Sequence, residues 1–156
     1  MIRPIIHDPL FLAQKSAVAT EADRQVIIDL LDTLHVSLDR CVGIAANMIG
    51  ERKRIIVFCN GPMQMVMVNP EIIAKSGEYE AEEGCLSLAG LRKTKRYRKI
   101  TVKYQDQTFR QLTGTFEGFT AQIIQHEIDH LEGHLFIEKA TNLRLITDHP
   151  EEKEIV

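Results

Sequence analysis

Hydrophobic residues predict a first helix near the amino terminus. From Ile27 to Leu38, apolar side chains recur every three or four positions, which places them on one face of an α-helix. Thr20 precedes this pattern, and Asp23 lies three residues after Thr20, as in a capping box that begins a helix. Because the helix has a single apolar stripe, it is predicted to be scaffold.

A second helical pattern runs from Phe119 or Thr120 to Glu132, and Gly133 stands where a glycine commonly ends a helix. Apolar residues occur on several sides of this helix, so it is predicted to be largely buried. These residues are Phe119, Ile123, Ile124, Ile128 and Leu131. Polar residues within the helix therefore need partners, because an uncompensated buried polar group costs about 1 to 3 kcal/mol.

Short runs between the two helices predict strands joined by turns. The strands are predicted over 54–59, 64–68, 72–74, 79–82, 99–104 and 109–115. Consecutive short strands favour an antiparallel sheet, which predicts an α+β fold. We expect a single compact domain over 1–156, with antiparallel strands around a central second helix and an acidic tail that frays from about residue 148.

Composition and charge restrict the class of protein. With 156 residues, 44% hydrophobic and 26% charged, the chain fits one soluble globular domain. A net charge of -3 argues against nucleic-acid binding, and the basic run 92–99 is interpreted as a solvated loop and strand entry.

Neither export nor membrane insertion is predicted, because no apolar leader or spanning run is present. An odd number of cysteines argues against a disulfide framework, so the predicted location is cytoplasmic.

The strongest chemical signal is Gln125-His126-Glu127-Ile128-Asp129-His130. On a helix, His126 and His130 stack on one face, where both can bind one metal ion with Glu127 beside it. Such pairs also arise by chance, and Glu127 has the alternative of being an ordinary surface acid. The buried character of the helix favours the metal site. The other histidines are interpreted as surface or structural residues: His7, His35, His134 and His149.

Two imidazoles are one ligand short of a hydrolytic centre, which commonly has three protein ligands and keeps a position for water. Cys85 is the preferred third ligand, because Gly84 lets the backbone come close to a ligand. From chemistry alone, Cys41 and Cys59 remain alternatives. A divalent ion lowers the pKa of its bound water, and Glu127 would take the proton as general base. This chemistry predicts hydrolysis of an acyl or amide bond.

Three segments, taken in order, resemble the motifs of the peptide deformylase family. Gly43-Ile44-Ala45-Ala46 matches part of its glycine motif, Glu83-Gly84-Cys85-Leu86-Ser87 its cysteine motif, and 125–130 its metal-binding helix. By itself, the segment 41–50 suits either a backbone close to substrate or a tightly packed core crossing. The likeness extends from Ile2 to about Ile137. It implies removal of the formyl group from N-formylmethionine, with formylated peptide N-termini as substrates, including nascent chains at the ribosome.

The resemblance also implies roles for individual residues. Cys85, His126 and His130 would bind the metal, which in the family is typically ferrous iron, with zinc, nickel or cobalt able to replace it. Glu127 would be the acid and base of the reaction, and the backbone amide of Leu86 would help hold the oxyanion. The peptide would be bound by the backbones of Val42, Gly43 and Gly84, with Ile44, Ile123 and Ile124 as walls of the methionine pocket.

The glycine motif departs from the family pattern. Met48 stands where the family has a glutamine that donates a hydrogen bond to the developing oxyanion, and Cys41 stands where the motif begins with glycine. A thioether cannot donate, and losing one such donor costs about 10²- to 10³-fold in rate. The neighbouring Asn47 points in a different direction. The stretch after the cysteine motif also differs by about one residue, so either Arg92 or Arg96 is predicted to support that motif.

Two other functions stay open at this stage. A degenerate relative would keep the metal and the groove but act as a peptide-binding or regulatory protein, which Met48 favours and Glu127 disfavours. A general His-Glu-x-x-His peptidase is disfavoured by the segment around Cys85. The sequence therefore predicts a metal-dependent deformylase that is slow or has an altered substrate.

Overall fold

One six-stranded sheet and three α-helices form the part of the chain that this computed structural model describes, residues 1–84, 91–134 and 140–146. The helices are α1 (Pro9–Leu12), α2 (Arg24–Val36) and α3 (Gly118–Leu131). The strands are β1 (Gly43–Ala45), β2 (Ile55–Asn60), β3 (Met63–Gly84), β4 (Leu91–Gln105), β5 (Gln111–Glu117) and β6 (Ala140–Ile146). Two 3-10 turns lie at Glu21–Asp23 and Ala46–Ile49.

All strand pairs of this sheet are antiparallel. The order is β1-β2-β3-β4-β5, and β6 pairs with the beginning of β4. The helix α3 packs against β1, β2, β4 and β5, so the strands surround it. The predicted α+β fold with a central helix is confirmed.

The capping box that the sequence predicts begins the 3-10 turn Glu21–Asp23, which leads directly into helix α2. Thr20 and Asp23 form a complete capping box, in which each side chain accepts from the backbone of the other. The buried face of α2 carries Leu30 and Leu34, which join a core with Ile56 of β2.

None of the helices that the structure describes has the length and the apolar character needed to span a membrane.

The sheet differs from the prediction in its long central hairpin. The predicted strands 64–68, 72–74 and 79–82 belong to one strand, β3, in which bulges and the left-handed backbone of Gly77 (φ 77°) break the apolar alternation without ending the pairing. The basic run 92–99, predicted as a solvated loop and strand entry, lies instead within β4. Lys93 and Lys95 pair with Glu80 and Glu78 of β3, and such a charge-paired strand gives no hydrophobic signal. The short β1, and β6, were not predicted.

Candidate active site

The face of α3 that carries the two histidines is turned into the protein. His126 and His130 are both 2% exposed, and their Nε2 atoms lie 3.2 Å apart. The helical spacing of four residues accounts for this approach, since it places the two rings one above the other. The structure therefore brings together the two imidazoles that the sequence predicted as metal ligands.

The first of these histidines has a protein partner on β3. Glu83 is 1% exposed, and its Oε1 lies 2.8 Å from Nδ1 of His126. Burial alone would raise the pKa of Glu83, but the charge of Arg96 and the hydrogen bond with His126 outweigh burial and lower the pKa to about 2. An ionised carboxylate only accepts hydrogen bonds, so Nδ1 donates and Nε2 keeps its lone pair for a ligand.

An arginine on β4 ties this carboxylate to the helix. Arg96 donates from Nε and Nη2 to the two oxygens of Glu83 at 2.8 and 2.7 Å, and from Nη1 to Asp129 at 2.7 Å. Burial would lower the pKa of Arg96, but the charges of Glu83 and Asp129 raise it above its usual range. Of the two arginines considered from the sequence, Arg96 is the one whose described side chain supports the segment before Cys85.

Glu127 lies inside the protein. It is 0% exposed, and neither carboxylate oxygen has a hydrogen-bond partner among the described residues. Burial raises the pKa of Glu127 well above its usual value, and the nearby charge of Glu83 adds to this effect. The interpretation of Glu127 as a surface acid is therefore wrong. A buried carboxyl group left without partners is typical of a residue that meets a substrate or an ion.

Burial raises the pKa of Glu127 but lowers the pKa of His130. Desolvation, together with the charges of His126 and Arg96, lowers the pKa of His130 well below its usual value. A neutral imidazole is the form that binds metal ions, so the environment favours a ligand there.

Strand β1 runs close against Glu127 at Gly43. A Cβ atom at Gly43 would lie 2.9 Å from Cγ2 of Ile123 and 3.0 Å from Oε2 of Glu127. A larger residue at position 43 would force the side chain of Ile123 or Glu127 to move. The segment 41–50 thus combines both interpretations made from sequence, since it crosses the core and also borders the candidate site.

A groove of about 330 Å³ opens beside this crossing. Of the predicted peptide-binding residues, Val42 and Ile123 line it, whereas Ile44 and Ile124 are fully buried and Gly84 is buried at the end of β3. The other lining residues are Leu38, Cys59, Gly61, Pro62, Gln64, Phe119 and Thr120. The size and the mixed lining suit a short extended peptide.

The unusual residues of the glycine motif are all buried. Met48 is 0% exposed within the turn Ala46–Ile49, and Asn47 donates from Nδ2 to the backbone oxygen of His130 at 2.9 Å. The Asn47 amide nitrogen is thus engaged at the end of α3. Burial, with the nearby Glu127 charge, raises the pKa of the Cys41 thiol to about 12, so this thiol is neutral near pH 7.

Two predicted site residues, Cys85 and Leu86, lie outside the described residues. Among the described residues, no group of three or more histidine, cysteine, aspartate or glutamate side chains is arranged to hold a metal ion. The described donors nevertheless fit a divalent metal: two imidazoles converge, an ionised carboxylate orients one of them, and a buried carboxyl group lies beside them. Histidine nitrogens suit zinc, iron, nickel and cobalt alike.

Sequence reasoning assigned no roles to Glu83 and Asp129 and left Arg96 as one of two candidate arginines. Glu83 precedes the predicted ligand by two positions and Asp129 lies within the histidine motif, so both were visible as motif residues. Their connection through Arg96 joins three elements that are distant in sequence, and no local pattern reports such a contact.

The fold and the paired histidines with a buried glutamate define the class of metal-dependent hydrolases with a His-Glu-x-x-His helix. Comparison with known proteins narrows this class. The model of the polypeptide deformylase family matches residues 3–145. The chain belongs to the peptide deformylase family, a family of metallohydrolases that remove N-formyl groups from nascent peptides.

Individual relatives agree with this assignment. A peptide deformylase of Clostridium beijerinckii is 58% identical over 133 residues, which cover 85% of this chain and 98% of the relative. The crystal structure of a peptide deformylase from Legionella pneumophila superposes with a TM-score of 0.82 at 36% identity, covering 92% of this chain and 88% of the other. A Met-Ala-Ser-bound class I type b peptide deformylase from Acinetobacter baumannii has a TM-score of 0.80 at 30% identity, covering 89% and 98%.

Proposed function

We propose that this chain hydrolyses the N-formyl group of formylmethionyl peptides at a divalent metal ion held by Cys85, His126 and His130. Water and the formamide give formate and a free amino terminus. The observation that carries the proposal is Glu127, a fully buried carboxyl group with no hydrogen-bond partner among the described residues, one position after a histidine oriented by Glu83.

The metal would supply Lewis-acid polarisation of the formyl oxygen and activation of a water molecule. By resemblance it is ferrous iron, and zinc, nickel and cobalt are compatible with the same ligands. Glu83, fixed by Arg96, holds the His126 ring so that Nε2 faces His130.

Glu127 would take the proton of the attacking water on a carboxylate oxygen and pass it to the leaving amine nitrogen. Its desolvated position raises its proton affinity, which suits a general base acting near neutral pH. The backbone N–H of Leu86 would donate to the negative charge that develops on the formyl oxygen. The two proton transfers cancel, so Glu127 ends one turnover in its starting protonation state.

The groove beside Gly43 would bind the peptide. Val42 and Ile123 would supply apolar contacts for the methionine side chain, and Gly43, the residue after Val42, lies against Glu127. In support, a relative from Acinetobacter baumannii has been crystallised with Met-Ala-Ser. Nascent chains leaving the ribosome are the substrates that we propose, and the cytoplasm is the corresponding location.

The degenerate, peptide-binding alternative is favoured by Met48, which cannot donate to an oxyanion. Formate release separates the two functions. Protein prepared without oxygen and loaded with ferrous iron, or with nickel, should release formate from formyl-Met-Ala-Ser and leave acetyl-Met-Ala-Ser intact. Absence of turnover above buffer, in a sample with about one metal per chain that still binds Met-Ala-Ser, would support the binding function instead.

A further inference from the structure

Strand β4 has an interrupted edge beside α3. One edge of β4 pairs with β3 along its length, and the other pairs with β6 at 91–94 and with β5 at 99–105. Among the described residues, no strand pairs with 95–98 on this second edge. The backbone groups of Tyr97 fall within the gap, and buried backbone groups need hydrogen-bond partners.

A side chain of α3 takes the place of the missing strand. Gln125 is 6% exposed, its Oε1 accepts from the backbone nitrogen of Tyr97 at 2.8 Å, and its Nε2 donates to the backbone oxygen of Tyr97 at 2.8 Å. The same Nε2 also donates to the backbone oxygen of Ala121 at 2.9 Å, one turn earlier on the helix. The amide therefore reproduces the two hydrogen bonds that a neighbouring strand residue would make, while it is held to its own helix.

This contact lies directly beside the histidine support. Gln125 precedes His126 on α3, and Tyr97 follows Arg96 on β4. Two adjacent residues of the helix are thus tied to two adjacent residues of the strand, one pair through an amide and the other through Glu83. Together these contacts fix α3 against sliding along β4.

We propose that Gln125 is a positioning residue for the metal centre, acting by setting the register of α3 against β4. This inference rests on the proposed function and extends it to a residue that touches neither substrate nor ligand. If the register shifts, His126 and His130 move relative to the β3–β4 connection that carries Cys85. Loss of residues that orient metal ligands commonly weakens metal binding about 10- to 100-fold.

Gln125→Met tests the proposal, since methionine has a similar length and flexibility but makes no amide hydrogen bonds. Two controls accompany it. Gln111→Met removes an amide contact to the backbone of Tyr104, also on β4, with no tie to α3. Val102→Ala removes buried apolar volume from β4 and reports the effect of lowered stability alone.

The measurement is the affinity of each variant for Co²⁺, by competition with a chelator, together with the visible spectrum of the cobalt form. We expect Gln125→Met to bind Co²⁺ about 10- to 100-fold more weakly with altered bands, and both controls to bind within about twofold of the wild type. At saturating metal, kcat for a formyl-Met peptide should fall while KM stays unchanged.

A folded Gln125→Met variant with a Co²⁺ affinity within twofold of the wild type would overturn the proposal. An equal loss of Co²⁺ affinity in Val102→Ala would also overturn it. If Gln125→Met does not fold, Gln125→Glu is measured instead, because it keeps the acceptor for Tyr97 and loses the donor. Unchanged Co²⁺ affinity in that variant would equally overturn the role of Gln125. Absence of formyl-peptide turnover in the wild type would contradict the proposed function alone, because Co²⁺ affinity still decides the positioning role.

Discussion

At the scale of single residues, two buried glutamates have opposite pKa shifts. Burial acts on both, but Arg96 and His126 neutralise its effect at Glu83, whereas Glu127 has no such partners among the described residues. One carboxylate is therefore held ionised and orients a ring, and the other is suited to gain and lose a proton. Pairs of carboxyl groups whose environments separate their pKa values are a recurrent basis for assigning acid and base roles.

Replacement of Glu127 by glutamine should separate its chemistry from its packing. The amide keeps the shape but cannot accept the proton of water, so the rate of formate release should fall about 10²- to 10⁴-fold with metal content unchanged. The measurement is the steady-state rate at equal metal load. Glu132→Gln, which alters a carboxylate at the end of the same helix, should keep the wild-type rate. Retained activity in Glu127→Gln would assign the base to another group.

Met48→Gln tests the effect of the altered glycine motif. Since Asn47 is engaged with the backbone of His130, a glutamine at 48 would add an oxyanion donor that the chain otherwise lacks there. The rate should rise, by up to about 10²-fold, in a formate-release assay. Met48→Leu, which adds no donor, should leave the rate as it is. A lower or equal rate in Met48→Gln would mean that another donor already occupies this position.

At the scale of secondary-structure elements, the sequence predicted the two long helices but not the four-residue α1, and it predicted the strands only partly. Helical periodicity and caps are local, so α2 and α3 were found close to their bounds. The long β3 is interrupted by bulges and carries exposed charges, and β4 is matched to it by ion pairs. The histidines and Glu127 could be recognised from spacing alone, whereas Arg96 and Gln125 act through contacts between distant segments.

Arg96 of β4 binds Glu83 of β3 and Asp129 of α3, so Arg96→Met is expected to lower the stability of the protein strongly. The substitution leaves the carboxylate of Glu83 buried without its main positive partner, which should lower the free energy of unfolding by about 3 to 5 kcal/mol. Urea unfolding followed by circular dichroism measures this change. Lys99→Met breaks an exposed ion pair with Glu117 and should cost less than about 1 kcal/mol. An equal loss of unfolding free energy in the two variants would contradict the role of Arg96 in stabilising the buried Glu83.

At the scale of the whole molecule, the sheet and α3 hold a charged cluster inside the core, and this arrangement makes stability depend on pH. The folded-state pKa of Glu83 is about 2, below its ordinary value of 4.5. A group with a lowered folded-state pKa stabilises the protein fully above its unfolded-state pKa, and this contribution is lost as the pH falls through the folded-state value.

Metal-free protein should therefore lose on the order of 3 kcal/mol of stability from Glu83 between about pH 5 and pH 2. Glu83→Gln cannot titrate, so its unfolding free energy should fall less steeply over the same range. Urea unfolding at several pH values gives both curves. Parallel curves would show that Glu83 is not the group responsible.

The central claim is that Cys85, His126 and His130 bind one metal ion. X-ray absorption at the zinc edge of the zinc-loaded protein measures this set directly. We predict one sulfur at about 2.3 Å and two imidazole nitrogens at about 2.0 to 2.1 Å, with the sulfur lost in Cys85→Ser. A spectrum without sulfur in the wild type, or with sulfur retained in Cys85→Ser, would contradict the account.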